Sequence, residues 1–197
     1  MPQPRPTRVE QPRIIPLTVW PTTTPGIPGS LPAEAAARAI ATFSNTGDLV
    51  IGIDDTGILI GAADYLHRRY TALHRTATTP VITHCRERGA GLIIDHPPIA
   101  GPESLLSDLS MLAGLLRPGG YLLTVHTPIG GVNDPLADTI IAARATGLRY
   151  LQHIIILTAP IHDSELHPHT EGLSGGGLLE PVHTDLAVFT RPGGARG

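Results

Sequence analysis

Lysine is absent from this chain, cysteine occurs once, and aromatic residues make up only 4% of it. Each scarcity excludes something. A single thiol, Cys85, allows no internal disulfide framework and no all-cysteine zinc site. So few aromatics leave too little π surface to stack single-stranded bases. Charged residues reach only 16% and the formal net charge is −3, so the chain does not coat nucleic acid through charge alone. A local basic patch is compatible with that balance. No apolar run reaches the length of a membrane span, and the N-terminus has no signal-peptide core. The expectation is a cytoplasmic protein with no membrane partner.

What is present points to one domain. A length of 197 residues with 41% hydrophobic side chains suits a single globular body carrying a tail. All 14 basic residues are arginine, beside 22 glycines and 20 prolines, which reads as the coding bias of a high-GC genome. Nine of the prolines fall in the first 32 residues. Proline removes backbone donors and restricts its neighbours, so residues 1–30 are expected to form a partly disordered tail. Residues 31–192 are expected to form the body, and 193–197 a disordered end. Residues 14–20 are apolar enough to dock on the body, with Trp20 as a packing anchor.

Within the body, helix and strand patterns alternate. Ser30 is placed to cap a helix over 32–43, with Pro32 near its first turn. Buried strands are expected at 48–53 and 91–95, and shorter ones at 70–74 and 81–84. A helix is expected over 59–67. The clearest helix covers 104–116, where Leu105, Leu109, Leu112 and Leu116 recur at helical spacing before Arg117-Pro118-Gly119-Gly120. Strand 121–126 follows, then a helix capped by Asn133 or Asp134 with Pro135 in its first turn and Gly147 after its end. Strands 150–157 and 182–190 complete the set, separated by a Gly/His-rich connection over 159–181. Such alternation implies an α/β fold, a mostly parallel sheet with helices on both faces and an antiparallel final pair. Ligands in such sheets sit beyond the carboxyl ends of the strands, which directs attention to the loops after Ile53, His74, His84 and Asp95.

The order TGDLVIGIDDTGILIG, HRRYTALH, GLIIDHPPI, LLRPGGYLLTV and HTDLAVFTRP resembles a known family. It is similar to the S-adenosylmethionine-dependent methyltransferases of the DNA adenine-N6/cytosine-N4 methylase type and their relatives acting on tRNA guanine. The similarity runs from about Pro16 to Pro192. It implies a Rossmann-like class I methyltransferase fold, S-adenosylmethionine as cofactor, and methyl transfer to an exocyclic amine of a nucleic-acid base. The HPP element is the more selective part, because the family carries an Asp/Asn/Ser-Pro-Pro-aromatic loop after its fourth strand. On that alignment His96, Pro97, Pro98 and Ile99 face the target amine. Gly52, Asp54, Asp55, Thr56 and Gly57 face the cofactor after the first strand, His74 its ribose and His84 its adenine.

Pro97 and Pro98 keep the family pattern, and the polar, glycine and aromatic positions depart from it. The family's first turn is Asp-Pro-Phe-x-Gly-x-Gly; here Thr56 and Ile58 replace the two glycines and are expected to crowd the methionine arm. His74 replaces a carboxylate that accepts from two ribose hydroxyls, and a neutral imidazole has only one acceptor nitrogen. His84 stands where an acid is expected near the adenine amino group. Ile99 has no π face to stack on a flipped base. Asp95 lies one residue before the family's polar position. The apolar framework is kept while the polar positions are lost. This favours a methyltransferase-fold protein with reduced or lost activity. The contrasting reading is a non-catalytic scaffold or regulatory module that binds a protein partner, a second copy or another small ligand.

Other constellations read as structural. Arg68, Arg69, Arg75, Arg86 and Arg88 can hold phosphates, but a solvated edge is the preferred reading. His162, His167 and His169, with Asp163 and Glu165, have zinc-compatible chemistry, yet no helix fixes them and no metal site is assigned. Cys85 reads as a small buried residue, and the glycines of 172–177 as a flexible connection.

Overall fold

The computed structural model describes residues 15–23, 31–55, 57–98, 101–127, 135–158, 161–162, 165–166 and 183–193. In the described residues a seven-stranded sheet is built from β1 (Leu17–Pro21), β2 (Leu49–Ile53), β3 (Arg69–Leu73), β4 (Ala90–Asp95), β5 (Leu116–His126), β6 (Arg149–Leu157) and β9 (His183–Thr190). A separate two-stranded pair joins β7 (Ile161–His162) and β8 (Glu165–Leu166). The strand order is β1-β6-β9-β5-β4-β2-β3. β9 runs antiparallel to both β5 and β6, and every other pairing in that sheet is parallel.

Helices α1 (Ala33–Phe43) and α2 (Ile58–Tyr65) cover one face. Helices α3 (Thr79–Arg88), α4 (Pro102–Leu115) and α5 (Pro135–Ala145) cover the other. The alternation of side chains along a strand explains the two cores. In β2, Val50 packs with α1 and α2, while Leu49, Ile51 and Ile53 pack with the opposite layer. α4 buries Leu105, Leu109, Leu112 and Leu115 on one stripe. Each such leucine contributes roughly 1.5–3 kcal/mol of burial. The expected doubly wound sheet with its antiparallel pair is therefore the fold.

Three details differ from the sequence reading. Residues 81–84 form no strand; they lie inside α3, which has proline in its first turn and ends at Gly89 with φ +65°. Threonine, proline and a terminal glycine were stronger helix signals than the branched Val81 and Ile82. Among the described residues β3 is consequently the last strand on its side of the sheet. α4 ends just before Arg117–Gly120 as expected, but that segment is not a break ahead of a later strand: it lies within β5, where the register against β4 shifts between Ala90 and Leu92. β1 lies inside the stretch read as tail and pairs with β6, with Trp20 buried and the Arg38 guanidinium 4.6 Å from its ring centroid. The proposed caps Ser30, Asn133 and Asp134 lie outside the described residues, and α1 follows Pro32 with no side-chain cap.

Candidate functional site at the carboxyl ends of the strands

The loop after β2 turns sharply. Asp54 adopts a left-handed backbone with φ +50°, and Gly57 follows at φ +102°. α2 then begins, leaving its first amide groups without helical partners. Asp55 supplies one: its Oδ2 accepts from the amide of Gly57 at 3.0 Å and from that of Leu59 at 3.4 Å. The same oxygen accepts from the Tyr70 hydroxyl on β3. Burial pushes the Tyr70 phenol up, and the Asp55 carboxylate adds to that, so the hydroxyl remains a donor at neutral pH.

These groups fill the space over Gly52. A Cβ placed on Gly52 would lie 2.8 Å from the Asp55 Cβ and 2.9 Å from both the Leu59 Cδ1 and the Tyr70 oxygen. The glycine is thus required by the chain's own packing. Ile58, expected to crowd this space, instead exposes 41% of its surface, and Leu59 is the apolar group that enters. Thr56 lies outside the described residues.

On the other side of the sheet Arg75 ties four segments together. Its Nε lies 3.2 Å from Oδ2 of Asp54. Nη2 donates to Asp95 and, at 2.8 Å, to the carbonyl of His96. Nη1 reaches Oδ2 of Asp108 on α4 at 3.4 Å. Asp54 also accepts from the Arg75 amide at 3.3 Å and lies 3.2 Å from Nδ1 of His74. Asp95 is almost wholly buried, and burial lifts its pKa to about 6 despite the attraction of Arg75. His96 is held below its usual range by the protein around it and by Arg75, with Asp55 opposing. That direction favours the neutral imidazole, which has one acceptor nitrogen.

The structure brings Gly52, Asp54, Asp55, Gly57 and His74 to one end of the sheet, with His96 and Pro97 beyond β4. Pro98 is exposed beside them, and Ile99 lies outside the described residues. His84 does not belong to this group: it is exposed on α3, because the strand it was expected to end is absent. Sequence reasoning missed Tyr70, Arg75 and Asp108. Only the position of Arg75 just after a strand end hinted at its role.

The arginines divide in the same way. Arg68 donates to the Ser44 carbonyl at 2.9 Å, and Arg69 to the Gly47 carbonyl at 3.0 Å. Arg68 and Arg75 are half-buried, whereas Arg69 is exposed despite its bond, as are Arg86 and Arg88 on α3. Cys85 is buried, and burial raises its thiol pKa. His167 and His169 lie outside the described residues. Among the described residues no group of three His, Cys, Asp or Glu side chains is placed to hold a metal ion, and no helix is long and apolar enough to cross a membrane.

The fold so described is that of the S-adenosylmethionine-dependent methyltransferases. A Burkholderia thailandensis 1,6-didemethyltoxoflavin-N1-methyltransferase, solved with 1,6-didemethyltoxoflavin and S-adenosylhomocysteine bound, is similar with TM-score 0.54 at 11% identity, over 81% of this chain and 78% of that one. A SAM-dependent methyltransferase from Archaeoglobus fulgidus is similar with TM-score 0.53 at 8% identity, over 81% of this chain and 94% of that one. No family model and no curated protein sequence matches the chain.

Proposed function

We infer that the chain is a methyltransferase-fold protein of the DNA adenine-N6/cytosine-N4 methylase type whose S-adenosylmethionine-dependent N-methyl transfer is reduced or lost. The observation that carries this reading is the filled space over Gly52. Asp55, Leu59 and Tyr70 occupy the position where a close-approaching cofactor needs bare backbone. The residues present do not fit the methyl donor well. His74 is turned to Asp54 and offers no paired acceptors for a ribose, and no strand precedes His84. S-adenosylmethionine, the methyl donor that the Archaeoglobus protein depends on, would be held weakly here.

What remains suits an amine. The acceptor nitrogen of His96 in its neutral form and the Pro97 carbonyl can accept from an exocyclic N–H of a base, and positioning supplies most of the catalysis in such a transfer. The alternative reading, a non-catalytic module with a protein or small-molecule partner, draws support from Arg75. Its contacts to Asp54, Asp95, Asp108 and the His96 carbonyl tie the loops to one another through the chain's own side chains.

The test is to open the space. Leu59→Ala with Tyr70→Ala should raise affinity for S-adenosylhomocysteine at least about tenfold over wild type. Tyr70→Phe, which removes only the oxygen, serves as the milder variant. No gain in either variant, with folding verified by circular dichroism, would overturn the reading.

A further inference from the structure

β1 pairs with β6 in parallel, and among the described residues no strand lies beyond it. The Pro16 carbonyl accepts from the His153 amide of β6 at 3.0 Å. Backbone bonding groups alternate sides along a strand, so Thr18 and Trp20 also turn theirs to β6. Leu17 and Val19 turn their N–H and C=O groups outward. Pro21, next in that series, has no N–H. The outward donors of β1 are therefore those of two residues only.

The same two residues are apolar and open. Leu17 exposes 62% of its surface and Val19 49%. Residues 15–23 carry no charge, and a charged side chain is a common way of blunting an edge strand. β3, outermost on the other side of the sheet, carries Arg69. An uncharged edge with exposed branched side chains is a template for another strand.

The register identifies that strand. Two copies of β1 set antiparallel about a two-fold axis at Thr18 place Leu17 opposite Val19 of the second copy, and Val19 opposite its Leu17. Opposed residues of this kind exchange both backbone bonds. Both N–H and both C=O groups of Leu17 and Val19 are then paired in each copy. Within β1 no other register does this. An axis at Val19 sets Leu17 against Pro21, and its carbonyl finds no donor. An axis at Leu17 sets Val19 against Ile15, outside the strand. On one face of the joined sheet Leu17 and Val19 of the two copies cover one another. On the other face Thr18 meets its own copy. Its Oγ1 accepts from Nε2 of Gln152 at 2.5 Å, which leaves the hydroxyl proton for a bond across the axis.

We propose that β1 is a dimerisation edge, on which β1 of a second copy adds antiparallel about Thr18 and joins two seven-stranded sheets into one. The interface uses none of the residues beyond β2 and β4, so it stands or falls apart from the reading given to that site.

The experiment is sedimentation velocity of the full chain over a range of concentrations, combined with cysteine cross-linking. Wild type should show a concentration-dependent dimer below about 1 mM. Val19→Pro removes one outward donor and leaves the bonds to β6 in place, and should weaken the dimer at least about tenfold. Val19→Lys, at an exposed position, should do the same by charging the edge. Blue-shifted Trp20 emission in both variants checks that β1 stays docked. Under mild oxidation Thr18→Cys should form a disulfide-linked dimer, because directly opposed positions of this type bring Cα atoms to about 4.5 Å. Leu17→Cys should not, because its two copies stand about 8 Å apart. The one native thiol, Cys85, is buried, so wild type is the control. A monomer at every concentration up to about 1 mM would overturn the proposal and leave the edge to a strand of a different protein. So would a dimer that neither Val19 variant weakens, a Thr18→Cys chain that stays unlinked, or a Leu17→Cys chain that links as readily.

Discussion

The hydroxyl of Tyr70 donates to Oδ2 of Asp55 directly over the Cα of Gly52. One carboxylate thereby caps the start of α2, engages β3 and closes the crevice beyond β2. Three elements meet at a point where the fold ordinarily leaves room for a ligand.

That packing makes Gly52 intolerant of change. Gly52→Ala would press a methyl group to within 2.9 Å of Leu59 and Tyr70. Overpacking of this kind costs about 1–3 kcal/mol. Adding Tyr70→Phe removes one of the contacted atoms and should recover part of the loss. Urea unfolding of the two variants measures both effects. Equal stability of Gly52→Ala and wild type would show that the space is empty.

Asp55→Ala should weaken α2. The carboxylate satisfies amide groups of Gly57 and Leu59, and loss of such a cap costs about 1 kcal/mol. The same change frees the Tyr70 phenol from a charge that raises its pKa, so tyrosinate absorbance should appear at lower pH than in wild type. Spectrophotometric titration reads that shift directly.

Asp95 gives the chain a pH dependence of defined sign. Its folded pKa of about 6 lies above its ordinary value of 3.8. The folded state therefore binds the proton more tightly. The stabilisation is complete below 3.8 and is lost as pH rises through 6. In Asp95→Asn this component should vanish, flattening the stability profile between those limits. Arg75→Met should be most damaging at pH 7, where a buried carboxylate loses its partner at a cost of about 3–5 kcal/mol. The penalty should shrink in acid, where Asp95 takes up its proton. Denaturant melts across the pH range separate these outcomes, and a penalty independent of pH would count against the coupling.

Trp20 reports on the N-terminal strand. It is buried in the core with Ile154 and Ile156 on β6. Trp20→Ala should cost about 3–5 kcal/mol. As the chain has one tryptophan, its fluorescence should be blue-shifted in the native state and shift red in a single step with unfolding. A red-shifted native spectrum would show that β1 does not dock.

Much of the framework was legible in the sequence because single segments encode it. DLVIGI and GLIID are too apolar to lie anywhere but a buried parallel strand, and the leucine spacing of α4 admits one geometry. α3 was misread because Val81 and Ile82 suggested extended chain, whereas Pro80 and Gly89 bound a helix. The site was legible as a set of loops, not as contacts. The crowding near Gly52 was anticipated, but from Thr56 and Ile58; helical phase instead turns Leu59 inward and Ile58 to solvent. Arg75 looked like one of several surface arginines. Its partners Asp54, Asp95 and Asp108 come from three distant segments, and only the assembled sheet places them around one guanidinium.

Calorimetric titration of the wild-type chain with S-adenosylhomocysteine tests the central claim most directly. A crevice filled by Asp55, Leu59 and Tyr70 predicts no saturable heat below about 1 mM ligand, and saturable binding near about 1 µM would contradict it.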